Sequence, residues 1–81
     1  MSTPISLLII NPNTNPAVTA GIRAAAEQVV FPTTGLTVTN PSTGPHSIET
    51  REHREMAVPQ VISIVRDSLA QRYDAYVLGC F

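Results

Sequence analysis

The side chain best suited to act as a base or nucleophile is Cys80, the chain's only cysteine, one residue before Phe81. A thiol does such work as the thiolate, which forms near neutral pH when backbone N–H groups or positive charge face it. Cys80 follows Gly79 at the end of an apolar segment, where a succeeding helix would point its N-terminal N–H groups at the sulfur. A lone cysteine in an apolar strand also reads as a small buried hydrophobe. Asn11 and Thr14 carry an amide and a hydroxyl that could orient a carbonyl-bearing substrate. Their setting, Asn11-Pro12-Asn13-Thr14-Asn15-Pro16, is equally the chemistry of turns and helix caps. His46 could titrate near neutrality from the Gly44-Pro45-His46-Ser47 loop, although an exposed loop histidine is commonly incidental.

These groups need a frame, and the hydrophobic pattern supplies one. Ile5 to Ile10 is a nearly unbroken aliphatic run, as expected of a strand buried on both faces of a parallel sheet. Asn15 can cap a helix with Pro16 at its first position, and helical spacing continues through Val18, Ile22, Ala25, Ala26, Val29 and Val30 until Pro32. Gly35 to Thr39 reads as a second strand, followed by a long loop rich in proline and glycine. Ser47 can cap a second helix, with Glu49 in its first turn, whose apolar set is Val58, Val61, Ile62, Val65 and Leu69; Pro59 should kink or restart it. Arg51 to Glu55 reads as a solvated face, with Arg51 and Glu55 spaced for an i,i+4 pair. Asp74 to Gly79 forms the third strand.

The fold class is therefore α/β: a βαβαβ unit with a parallel sheet. Right-handed crossovers give strand order 2-1-3, with the first strand in the centre. Ligands of such sheets bind beyond the carboxyl ends of the strands, where the winding reverses. That point lies between the first and third strands, so it gathers Asn11 to Thr14 with Cys80 and Phe81.

Composition narrows the rest. The 81 residues make at most one small domain, burying roughly 60–65% of the unfolded surface. Five basic and six acidic side chains leave the chain near neutrality, with no basic stripe for nucleic acid. One cysteine permits no internal disulfide and points to a reducing, cytoplasmic setting. Ile5 to Ile10 is too short to span a bilayer and lacks the flanks of a signal peptide, so no membrane partner is expected. Neither Gly-x-Gly-x-x-Gly nor a P-loop is present, which disfavours a nucleotide cofactor. His46 and His53 are seven apart, not the helical four of a zinc protease pair, and no Cys-x-x-Cys offers metal ligands.

Three segments in order resemble the N-terminal part of the aspartate/glutamate/hydantoin racemase superfamily, particularly its hydantoin and allantoin racemase branch. They are Ile10-Asn11-Pro12-Asn13-Thr14, Gly44-Pro45-x-Ser47-Ile48-Glu49, and Asp74-Ala75-Tyr76-Val77-Leu78-Gly79-Cys80-Phe81. The resemblance covers essentially the whole chain and implies a two-lobed α/β fold of which residues 1–81 are part of the first lobe. It implies racemisation of a small carbonyl compound without cofactor or metal. One thiolate removes a proton from the stereogenic carbon and a second thiol returns one from the opposite face. Cys80 matches the first of these thiols, and Asn11, its loop with Thr14, and the backbone at Cys80 and Phe81 would contact substrate. The second thiol is missing, so the chain alone is expected to be inactive. Other expectations remain open: an amino-acid racemase, decarboxylase or maleate isomerase reaction, or a non-catalytic remnant that self-associates through its open sheet edge.

Overall fold

A computed structural model describes residues 4–79. Three parallel strands, β1 (Ser6–Ile10), β2 (Gly35–Thr39) and β3 (Ala75–Leu78), form one sheet in the order β2-β1-β3. Helix α1 (Pro16–Glu27) joins β1 to β2, and α2 (Arg51–Ser68), followed by a single 3-10 turn (Leu69–Gln71), joins β2 to β3. The expected βαβαβ order and central first strand are both observed.

The registers Leu8↔Thr37 and Leu8↔Tyr76 align all three strands across the sheet. Side chains alternate between faces along a strand, so Leu8 and Ile10 share one face and Leu7 and Ile9 the other. Leu8 and Ile10 form the core with Val61 of α2, against which Ile64, Val65 and Tyr73 pack. Ala57 of α2 is completely buried. On the opposite face the Arg23 guanidinium of α1 donates to the Val38 carbonyl at 3.0 Å. A Cβ built on Gly79 would come within 2.7 Å of Ile22 Cδ1. Two right-handed crossovers running in opposite directions from the central strand place their helices on opposite faces.

Both edges of β1 are held at each end. At the amino end the Ser6 N–H donates to Asp74 Oδ2 at 2.7 Å, and the Asp74 N–H returns a bond to the Ser6 carbonyl at 2.8 Å. At the carboxyl end the Asn11 N–H donates to Thr39 O and the Gly79 N–H to Ile10 O, each at 2.8 Å. The residue before Cys80 is thereby tied to the last residue of β1.

Several local expectations need correction. Helix α1 stops at Glu27, not at Pro32, because Gln28 to Val30 close onto Ala25 and Ala26 carbonyls as a terminal turn. Val29 is 82% exposed, so its side chain adds no packing that would hold an extra turn. Helix α2 is capped by Thr50 rather than Ser47: Thr50 Oγ1 accepts the His53 N–H at 3.1 Å. His53 Nδ1 in turn accepts the Glu49 N–H at 3.1 Å, a reciprocal cap that leaves Ser47 to Glu49 outside the helix. The acidic residue of the first turn is thus Glu52. Helix α2 continues through Pro59 without a break. The carbonyl that proline leaves unpaired belongs to Glu55, which is exposed and open to water. Of the expected apolar set only Val61 is buried, while Val58, Ile62 and Leu69 are exposed.

Candidate functional site

Asn11, Asn13 and Asn15 recur at every second position after β1, and the repetition builds a nested set of side-chain to backbone hydrogen bonds. Asn11 Oδ1 accepts the Asn13 N–H at 3.2 Å, Asn13 Oδ1 accepts the Asn15 N–H at 2.9 Å, and Asn15 Oδ1 accepts the Ala17 N–H at 3.0 Å. Each asparagine thus turns the chain two residues on, and the third caps α1 with Pro16 at the first position. Because each bond is donated by a backbone N–H, the orientation of every amide is fixed by chemistry.

Asn11 is wholly buried. Its Nδ2 donates to Asn13 Oδ1 at 2.8 Å and Thr19 Oγ1 at 3.1 Å, with a longer contact of 3.3 Å to Asn15 O. The Thr19 hydroxyl passes its own hydrogen to Asn40 Oδ1 at 2.7 Å, and Asn40 Nδ2 donates to Pro41 O at 2.9 Å. This directional chain links the loop after β1, the first turn of α1 and the loop after β2, each bond polarising the next. No side-chain nitrogen or oxygen among the described residues is both fully buried and unpartnered.

Thr14 is half-buried; its N–H donates to Pro45 O at 3.0 Å, drawing the 40–50 loop against the loop after β1. Gly44 turns that loop at φ 122°, a conformation glycine adopts without steric cost. His46 and Ser47 are exposed on its outer side. Asn11 and Thr14 lie in the loop leaving the carboxyl end of β1, whose last residue, Ile10, is bonded to Gly79. Cys80 and Phe81 lie outside the described residues. Thr19 and Asn40 were absent from the sequence-based site, although the alternating Asn-x-Asn-x-Asn pattern signals that a network of this kind needs partners. Among the described residues no group of three or more His, Cys, Asp or Glu is arranged to hold a metal ion, and no helix is long and apolar enough to cross a membrane. A concavity of about 330 Å³ beside α2, bounded by Thr37, Ile64, Asp67, Gln71 and Tyr73, contains none of the residues from Asn11 to Asn15. The hydrogen-bonded asparagine network lies instead at the carboxyl edge, where the loops after β1 and β2 meet.

Residues 7–81 match the family model for Asp/Glu/Hydantoin racemase. The chain is 40% identical over 76 residues to the hydantoin racemase of Paenarthrobacter aurescens, covering 93% of this chain and 32% of that protein. To the hydantoin racemase of Rhizobium meliloti it is 37% identical over 73 residues, covering 90% of this chain and 30% of that protein. The solved structure of allantoin racemase from Klebsiella pneumoniae superposes with a TM-score of 0.89 at 34% identity, over 94% of this chain and 31% of that one. The chain thus spans just under a third of the length of the relatives it matches. With the family model matched from β1 to the last residue and the fold shared with a solved relative, the chain belongs to the Asp/Glu/hydantoin racemase family.

Proposed function

We infer that these residues form part of the first lobe of a cofactor-independent racemase acting in the cytoplasm on hydantoins or related small carbonyl compounds, with Cys80 as one of two proton-transfer thiols. The observation that carries this reading is the Gly79 N–H to Ile10 O bond of 2.8 Å. It fixes the residue before Cys80 at the junction of β1 and β3, the strands between which an open parallel sheet reverses its winding. A hydrogen next to a carbonyl becomes removable when the developing enolate oxygen meets positioned donors, and a thiolate near neutral pH is a competent base for it. Asn11, whose amide is fully engaged inside the loop, acts in this reading by holding the loop, while Thr14 and the Cys80–Phe81 backbone contact substrate.

Racemisation by two bases needs a second thiol, and these 81 residues contain one. A purified polypeptide of this sequence is expected to leave optically pure 5-substituted hydantoin or allantoin unracemised, as followed by polarimetry. Racemisation that Cys80→Ser abolishes would overturn the division of the site between two thiols. A second reading, self-association through the open edge, is favoured by the exposure of every residue of β3. Sedimentation over a range of concentrations tests it.

A further inference from the structure

In the loop after β1 the most deeply placed side-chain donor without an acceptor among the described residues belongs to Asn13. Asn13 is 7% exposed, and its Oδ1 is occupied by the Asn15 N–H and Asn11 Nδ2. Those two donors fix the amide's orientation, so its NH₂ group points away from them. Asn13 Nδ2 has no acceptor among the described residues, whereas no fully buried side-chain nitrogen or oxygen there is left unpartnered, so this nitrogen reaches the surface. The backbone donors of the loop are engaged. The N–H groups of Asn11, Asn13, Thr14 and Asn15 bond to Thr39 O, Asn11 Oδ1, Pro45 O and Asn13 Oδ1, respectively.

We propose that Asn13, rather than Asn11, is the asparagine that touches the ligand, its NH₂ group donating a hydrogen bond to a carbonyl oxygen of a small ring amide or ureide. The inference rests on the function proposed above and names the side chain that recognises its substrate. A nearly buried amide whose oxygen is locked and whose nitrogen alone meets the surface presents a donor of fixed direction. It needs no side-chain reordering on binding, which favours affinity and orientation together. Asn11, Thr19 and Asn40 then serve as positioning residues, because they hold the loop from which Asn13 projects.

Asn13→Asp separates the two roles of this side chain. A carboxylate still accepts from the Asn15 N–H and Asn11 Nδ2 but replaces the outward donor with an acceptor. The probe is hydantoin itself, titrated at millimolar concentration into the ¹⁵N-labelled chain and followed by NMR. In the unmodified chain the Asn13 side-chain NH₂ resonances are expected to shift with the loop amides. Asn13→Asp is expected to keep the thermal midpoint while binding at least about tenfold more weakly, the loss of one well-placed hydrogen bond. Equal binding by Asn13→Asp would overturn the assignment and leave the proposed function standing. Should that variant fail to fold, Asn13 NH₂ resonances that stay fixed while other loop resonances move would overturn it equally. No shift anywhere with hydantoin would instead overturn the proposed substrate class, and the ligand named here with it.

Discussion

At the carboxyl edge of the sheet, the loop after β1 and the strand β3 are neighbours, yet Asn11 is 0% exposed while Tyr76, Val77 and Leu78 are 37, 42 and 48% exposed. The loop is polar and closed: its side chains bond to its own backbone, to Thr19 and, through Thr19, to Asn40. Strand β3 is apolar and exposed, joined to β1 by its ladder and by bonds at Asp74 and Gly79, with the Tyr76 ring edge-on to Tyr73. Two neighbouring regions at one sheet edge thus depend on different things. Local hydrogen bonds secure the loop, whereas the surroundings of β3 depend on whatever lies against its outer face.

Asn11→Ala attacks the closed half and carries the largest expected effect. It removes the acceptor of the Asn13 N–H and the donor to Thr19, leaving buried partners unsatisfied, and should cost about 2–4 kcal/mol. Urea unfolding followed by circular dichroism measures it, and a loss below about 1 kcal/mol would show that water replaces the network. Thr19→Val, close in shape but without the hydroxyl, should cost about 1–2 kcal/mol, and Thr19→Ser should recover most of it.

The next test lies where the two halves meet. Gly79→Ala places a Cβ 2.7 Å from Ile22 Cδ1, so the isoleucine must move, at an expected cost of about 1 kcal/mol. In an Ile22→Val background, which lacks that methyl, the same substitution should cost measurably less. Additive losses in the double-mutant cycle would place the strain elsewhere. The smallest effect belongs to the open half: Leu78→Lys should change stability by no more than about 0.5 kcal/mol. It should lower any concentration-dependent association seen by sedimentation. A large stability loss from this exposed residue would mean that β3 is less open than its accessibility indicates.

Much of the frame was legible in the residues. The run Ile5 to Ile10 announced a central strand because a strand covered on both faces is apolar at nearly every position, here all but Ser6. Asn15-Pro16 announced the start of α1 through chemistry confined to two neighbouring residues. Thr50 was harder to recognise because Ser47 is an equally good cap, and the choice rests on the reciprocal bond between Glu49 and His53. Pro59 signalled a kink or restart, yet α2 is one continuous helix, since packing of Val61 against Leu8 and Ile10 outweighs one missing hydrogen bond on an exposed face. At the site, Asn11 and Thr14 were visible as polar groups after a buried strand. The sequence could not show which of the alternating asparagines turns inward.

The residues alone dictate the alternation of strands and helices, the central place of β1, and the meeting of the loop from Asn11 to Thr14 with the end of β3 at one edge. Those follow from local periodicity and from the handedness of crossovers, which every short βαβ unit obeys. Only the tertiary structure decided the division of labour within the loop. Asn11 is buried because Thr19 on α1 and Asn40 beyond β2 meet there, 8 and 29 residues further along the chain. Bonds between residues so far apart depend on how helices and strands pack, and it is this packing that leaves Asn13 with its amide nitrogen turned outward.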